Sequence, residues 1–313
     1  MNQKPLECTV PESLEGKPLR QVLIRQLHIS RRLLARLKSP DLVTVNGRTA
    51  RLIDPVSAGD RILVRLPEDR PVIPVSGQPR LPVLWENSNF LAVYKPAGMP
   101  TLPSRRHPGT SVSSCVSAHL RLQGHSGVFR PAGRLDQDTS GILLCAKSSW
   151  ALELFNRQVR SGEVIKEYLA LVEGCPDPPA GEICLPIRRS APYSMIREVH
   201  PAGRPARTSW RVLASGSGLS LVRLTLHTGR THQLRVHAAH IGCPIIGDPK
   251  YFEADTNWEF PGGIQNRLHL HARRIVIPHP QGGVIDVTAP LPPHMRQSWN
   301  LLGFDDATAE DAA

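Results

Sequence analysis

No apolar run in this 313-residue chain approaches the roughly 20 residues that a membrane-crossing helix needs. No C-x-x-C pair occurs either. The six cysteines (Cys8, Cys115, Cys145, Cys175, Cys184, Cys243) lie far apart and read as reduced thiols, which favours a cytosolic protein. The N-terminus, MNQKPLECTVPESLEGK, lacks the basic, apolar and small-residue layout of a secretory leader. There is no internal repeat, which excludes a solenoid. Acid is missing where base is dense: Lys17 to Lys38 holds seven Lys/Arg and no Asp or Glu. What is present is a chain with 40% hydrophobic residues, enough for a real core in one large domain or two unequal ones. Its net charge of +11 points to a polyanionic partner. Nucleic acid comes first, because no lipid-binding amphipathic helix competes for that role.

Residues 14–38 read as two short helices, with Leu19, Leu23, Leu27 and then Leu33, Leu34, Leu37 at helical spacing and Ser30 placed to cap the second. The alternating segment that follows carries Asn46-Gly47 as a hairpin turn. Helix pair, Val43-Thr44-Val45-Asn46-Gly47-Arg48 hairpin and Ala58-Gly59-Asp60 in this order resemble the S4 RNA-binding domain. Within it Arg31, Arg32, Arg36, Lys38 and Arg48 are the candidate RNA contacts. Residues 67–83 contain five prolines and read as an extended linker. The expected division is 1–68 for the S4-like domain, 69–83 for the linker, 84–303 for a larger domain and 304–313 for an acidic tail. In the larger part, strand-like runs (FLAVYKP, GILLCAKS, VIKEYLALVEG, SLVRLTLHTG, RRIVIPHP, GVIDVTAP) outnumber helices. An α+β domain on a mixed, largely antiparallel sheet is expected. One helix spans SSWALELFNRQVRSGE, capped by Ser148 or Ser149, with Leu152, Phe155 and Val159 on its inner face. Another spans THQLRVHAAHIG, opened by Thr231 and closed by Gly242.

The run GRLDQDTSG, residues 133–141, offers two aspartates. Its right half, Asp138-Thr139-Ser140-Gly141, looks like an aspartic-protease loop, but such a site needs two loops whose carboxylates share a proton. Asp255-Thr256-Asn257 and Asp286-Val287-Thr288 lack the glycine, and a protease has no need of +11. That reading fails. A zinc site from His232, His237, His240, His269 and His271 fares little better. Only His237 and His240 share a helix face, and no cysteine or carboxylate sits beside them at ligand spacing. Histidines contacting RNA or the backbone fit better, and no metal is expected.

Further pieces recur in order: Lys95-Pro96-Ala97-Gly98, Arg134-Leu135-Asp136, Lys166-Glu167-Tyr168, Thr228-Gly229-Arg230-Thr231-His232-Gln233-Leu234-Arg235-Val236-His237, Gly247-Asp248, and Leu268-His269-Leu270-His271. Together they resemble the RluA-type pseudouridine synthases, which often carry an N-terminal S4 domain. The resemblance spans the chain apart from its two tails. One departure is Gly133, where the RluA type usually has histidine and the sister RsuA type has glycine. It bears on the subfamily and target nucleoside, not on the chemistry.

The resemblance implies that a uridine in RNA has its N1–C1′ bond broken and is rejoined through C5. Nothing is oxidised and no group departs, so no cofactor is needed. One carboxylate is needed, acting as nucleophile at C1′ or as base on the 2′ proton. By resemblance this is Asp136, with Arg235 as its non-titrating partner and Arg230 as the competing candidate. Tyr168 takes the place of the side chain that stacks on the flipped base. Arg134, expected to point away from Asp136, Arg230 and His232 are assigned to RNA contact. Thr139 and Ser140 should bond the loop backbone, Asp138 should cap the loop or face solvent, and Gly141 should permit close approach of chains. Large-subunit ribosomal RNA is the leading target and transfer RNA the runner-up, in the cytoplasm, with no obligate protein partner. The rival class is a non-catalytic RNA-binding or ribosome-assembly protein, against which the set Asp136, Tyr168 and Arg235 argues.

Overall fold

The computed structural model describes residues 5–70, 77–103, 110–252, 266–279 and 282–304. Its N-terminal unit consists of β1 (Leu6–Thr9), α1 (Leu19–Gln26), α2 (Arg31–Arg36), β2 (Val43–Val45), β3 (Arg48–Thr49) and β4 (Arg61–Val64). The four strands form one antiparallel sheet in the order β1-β4-β2-β3. Leu19, Val22 and Leu23 of α1 and Leu33 and Leu34 of α2 are buried, as the spacing demands. The Ser30 hydroxyl accepts from the Leu33 N–H at 3.2 Å and caps α2. Asn46 and Gly47 both sit at positive φ (50° and 78°), which the tight β2–β3 hairpin requires. The Asn46 side chain donates to Asp60 at 2.8 Å and accepts from the Arg61 N–H at 2.9 Å, tying the hairpin to β4.

The second unit contains β5 (Val83–Glu86), β6 (Phe90–Lys95), α3 (Val112–Leu122), β7 (Ser140–Ala146), α4 (Ser149–Ser161), β8 (Ile165–Glu173), β9 (Ala180–Ile183), β10 (Ile187–Arg189), β11 (Arg197–Val199), β12 (Thr208–Gly216), β13 (Leu219–Leu226), α5 (Gln233–His240), β14 (Leu270–Pro278), β15 (Val284–Thr288) and α6 (Pro293–Leu301). Nine strands form a mixed sheet ordered β5-β6-β7-β14-β8-β13-β12-β9, with β15 beside the far half of β14. Among the described residues only β7 and β14 pair in parallel. The buried stretches FLAV of β6, ILLCA of β7 and YLALV of β8 read as unbroken apolar runs because both sheet faces are covered. Phe90, Ala92, Ile142 and Leu144 face α4, while Leu91, Val93, Leu143 and Cys145 face α3 and α5. Leu169 and Leu171 of β8 meet Met295 and Trp299 of α6.

Two helices differ in detail from their sequence reading. The buried face of α4 is Trp150, Ala151, Leu154, Phe155 and Gln158, with Leu152 and Val159 on its flank. The reason is that α4 is packed from two sides. One side rests on the sheet; the other meets the N-terminal unit, where the Trp150 indole N–H donates to the Leu27 carbonyl at 2.7 Å. Ser148 is its cap. The helix α5 opens at His232 rather than Thr231, and His232 stands at φ +57° with no side-chain cap. Gly242, at φ +75°, follows its C-cap as expected. Arg235 therefore lies within the first turn.

Candidate active site

Register across the sheet sets the site. Gly141 of β7 pairs with Ala272 of β14, Ala272 with Tyr168 of β8, and Tyr168 with Leu224 of β13. This row passes under a cavity of about 250 Å³ lined by Arg134, Asp136, Lys166, Tyr168, Arg230 and Arg274 among others. Gly141 makes the row possible. At φ +112° it approaches β14 so closely that an added Cβ would lie 2.2 Å from the Ala272 carbonyl oxygen.

The aspartate loop is held from below by Lys95, the last residue of β6. The side chain is fully buried, and its three ammonium protons have three acceptors: the carbonyls of Gln137 (2.6 Å), Thr139 (2.7 Å) and Pro96 (3.0 Å). Burial pushes its pKa down to about 7, against the charges of Asp138 and Asp136. The Thr101 hydroxyl donates to the Leu135 carbonyl at 2.9 Å, and the Gly98 N–H to that of Gln137 at 3.0 Å. The loop is thus tied to the segment after β6 at several points. Thr139 and Ser140 contribute differently than expected. The Thr139 N–H closes the turn onto the Asp136 carbonyl (3.2 Å), and the Ser140 hydroxyl bonds buried His271 (2.8 Å), not the loop backbone. Asp138 caps nothing among the described residues; its charge faces Lys95.

Arg235 approaches from above. Its Nη1 donates to Asp136 Oδ2 at 3.3 Å, while Nε and Nη2 grip Asp248 at 2.6 and 2.5 Å. Arg235 is 3% exposed, the Asp248 side chain 0% and that of Asp136 23%. One guanidinium therefore serves two carboxylates, a fully buried one through two bonds and the partly exposed one through a single longer bond. Arg230, the rival, donates to the Pro205 carbonyl instead (2.8 Å). Tyr251 lies over the Arg235 guanidinium at 5.2 Å, and Asp248 also accepts from the Lys250 N–H at 2.9 Å. Gln233 is satisfied at both ends, by Thr228, the Arg230 N–H, Thr208 and the Arg207 carbonyl, which pins the start of α5.

Tyr168 is buried, its ring lines the cavity, and its hydroxyl makes no hydrogen bond among the described residues. Burial, then the Asp136 charge, holds the phenol protonated far above its ordinary range. Arg134 is exposed and unpaired among the described residues. It lines the same cavity as Asp136, not an opposite side, because residues two apart in an extended run share a face while Leu135 between them is buried. Histidines 237, 269 and 271 are internal. His237 meets the Leu185 carbonyl and Thr208, His269 the Arg267 carbonyl and Ser298, and burial pushes His269 down to about 4 and His271 to about 3. No group of three or more His, Cys, Asp or Glu that could hold a metal ion occurs among the described residues.

The remaining candidates lie on the N-terminal unit. Arg31, Arg32, Lys38 and Arg48 are exposed and carry no ion pair among the described residues. Arg36 is engaged: it pairs with Asp69 at 3.2 Å and donates to the carbonyls of Glu68 and Pro67. Asp69 also takes Arg130, so the chain leaving this unit is pinned to the second one.

Comparison with known proteins completes the picture. Residues 89–240 match the family described as RNA pseudouridylate synthase, and residues 6–62 match the N-terminal domain of the ribosomal pseudouridine synthase RluD. The RNA pseudouridine synthase YhcT of Bacillus subtilis is 34% identical over 303 residues, covering 95% of this chain and 97% of the relative. The chain belongs to the RNA pseudouridine synthases, in their RluA type. A ribosomal large subunit pseudouridine synthase D of Xanthomonas campestris is 31% identical over 98% of this chain and 95% of its own. Among solved structures, human RNA pseudouridylate synthase domain containing 4 superposes with a TM-score of 0.59 at 25% identity, over 71% of this chain and 93% of that one. The N-terminal unit is the S4-like domain that the helix pair and NG hairpin suggested.

Some residues of this synthase site stood in the quoted sequence runs or beside them without a role. Asp248 and Tyr251 complete the surroundings of Arg235, and the Gly-Asp pair and its spacing to the tyrosine were the available signal. A second cavity of about 470 Å³ adjoins the first and shares Arg134 and Arg230 with it. The hairpin β10–β11 and the loop after it add Arg188, Arg189, Arg197 and Arg204. The tip of that hairpin holds Tyr193 at φ +65° and 94% exposed, beside exposed Met195 and Ile196.

Proposed function

We propose that Asp136 is the catalytic carboxylate of this RNA pseudouridine synthase, Arg235 its charge partner and Tyr168 the platform for the flipped uracil. The observation that carries this is the sharing of Arg235. A buried arginine that grips Asp248 through two bonds holds Asp136 through a single longer one, at the mouth of a cavity walled by Tyr168. An ionised, aimed carboxylate is what both attack at C1′ and removal of the 2′ proton require. The scissile N1–C1′ bond breaks, the uracil turns against Tyr168, and C5 joins C1′; the C5 proton is released to solvent and N1 takes one up, so the atoms balance. Release of tritium from C5-labelled uridine therefore tests the assignment. Asp136→Asn is expected to lower release by at least about 10³-fold, and turnover that survives it would overturn the role given to Asp136.

Recognition divides between two basic surfaces. The S4-like domain, residues 1–68, joined by the linker 69–83 to the catalytic domain 84–303, offers Arg31, Arg32, Lys38 and Arg48 to phosphates. Arg134, Arg230 and the arginines of the second cavity offer a path beside the catalytic aspartate. Ribosomal RNA of the large subunit is the target favoured by the ribosomal match of the N-terminal domain and by the large-subunit name of the Xanthomonas campestris relative. Transfer RNA is the alternative, and mapping pseudouridine in total RNA with and without the gene decides between them. A place in the cytoplasm, beside that RNA, belongs to this reading; among the described residues no helix is long and apolar enough to cross a membrane.

A further inference from the structure

Two donors converge on one oxygen of Asp136. Arg235 Nη1 lies 3.3 Å and His232 Nε2 4.0 Å from Oδ2, while Oδ1 accepts no hydrogen bond among the described residues. The proton positions on His232 follow from its neighbours. The backbone N–H of Arg197, on β11, donates to the Tyr251 hydroxyl oxygen at 2.8 Å. The hydroxyl's own proton then has one acceptor within reach among the described residues, His232 Nδ1 at 2.8 Å. Nδ1 is thereby an acceptor, and the proton of the neutral ring sits on Nε2, the atom that faces Asp136. His232 is 7% exposed and held at φ +57°, a left-handed conformation that places the ring there and that non-glycine residues seldom adopt.

Burial first, and three nearby cations after it, keep the ring neutral. Burial pushes His232 down to about 4; Asp136 acts against this, and Arg235, Lys250 and Arg197 reinforce it. A neutral donor orients the carboxylate without adding a second full positive charge, which would blunt its basicity. The 4.0 Å gap is open in the free protein, as hydrogen bonds at such sites often are before substrate is bound.

We propose that His232 is a positioning residue for Asp136: its Nε2–H and Arg235 together hold Oδ2, leaving Oδ1 as the oxygen that meets the ribose. This rests on the reading of Asp136 as the catalytic carboxylate. The chain Arg197 N–H, Tyr251 hydroxyl, His232 ring and Asp136 also connects the β10–β11 hairpin to the reacting group.

The test is single-turnover tritium release, with enzyme in excess over total RNA labelled at uridine C5 and taken from cells lacking the gene. His232→Ala is expected to slow release about 10- to 100-fold, the size seen when an orienting partner is lost, with the half-saturating protein concentration unchanged. His232→Gln, which can place an amide N–H where Nε2–H lay, should recover most of the rate. Tyr251→Phe removes a single oxygen and should give an intermediate loss, so the proposal stays testable if the alanine variant folds poorly. A rise in half-saturation with an unchanged rate would make His232 an RNA contact and overturn the proposal; so would a glutamine variant as slow as alanine. Asp136→Asn run in parallel separates the two readings. Release that persists in it removes the role of Asp136, whereas an inert Asp136→Asn beside a fully active His232→Ala removes only that of His232.

Discussion

Arg235 cannot be exchanged for lysine, although the charge is the same. Its planar fork gives two bonds to Asp248 and one to Asp136, and an ammonium on a flexible stem cannot reproduce that geometry. Arg235→Lys is expected to lower tritium release about 100-fold and to cost about 3 kcal/mol of unfolding free energy in urea, because the fully buried Asp248 loses its partner. An unchanged urea midpoint would show that Asp248 does not depend on the fork. The buried histidines predict a pH effect of definite sign. His269 and His271 are neutral in the fold, at about 4 and about 3, and titrate near 6.5 when unfolded. Below pH 6.5 the unfolded chain binds more protons, so stability falls as pH drops from 6.5 towards 4, by up to about 1.4 kcal/mol per pH unit for each ring. Urea midpoints at pH 7.0, 5.5 and 4.5 measure this, and His271→Asn should flatten the curve.

At the scale of elements, the β7–β14 seam is the sensitive feature. Gly141→Ala drives a Cβ into the Ala272 carbonyl, so a loss of about 3 kcal/mol or more and a collapse of activity are expected. Gly133→Ala is the control. It has nothing within 4 Å of the new methyl and only its φ of +137° to strain it, so a cost of about 1–2 kcal/mol is expected. Thermal melts of the two variants should rank in that order. The same contrast explains what could be read from sequence. The Ser30 cap, the Asn46-Gly47 turn and the strands β6, β7 and β8 were legible because their signals are local: a hydroxyl before a helix, two left-handed residues, runs buried on both faces. The edge and hairpin strands β1, β5, β9, β10, β11 and β12 were not picked out, being short or of mixed polarity, with pairing set by distant partners. The site followed the same rule. Asp136, Tyr168 and Arg235 stood in recognisable runs, while Lys95 as the loop's support, and Asp248 and Tyr251 around the arginine, acquired their roles only through contacts made by the fold. The direction of Arg134 was misjudged by overlooking the period of two in extended chain.

On the scale of the whole molecule, the two basic surfaces predict separable effects. Replacing Arg31, Arg32, Lys38 and Arg48 together with glutamine should raise the half-saturating RNA concentration and leave single-turnover release nearly unchanged. It should also reduce the slope of log affinity against log salt by about 3, the share of four phosphate contacts. An unaltered slope would place the RNA elsewhere. Removing the N-terminal unit outright is a poorer experiment, because it would uncover Trp150 and Leu154, which that unit helps to bury. The Trp150–Leu27 bond has a further consequence. The two units are joined there and again at Asp69, so the span between their basic surfaces is expected to be set before any RNA arrives. On the proposed roles of Asp136 and the N-terminal arginines, a substrate is expected to present its uridine to Asp136 when a helical stem places phosphates one fixed span away. A transcript with the same loop sequence on a stem lengthened by half a turn should bind and remain unmodified.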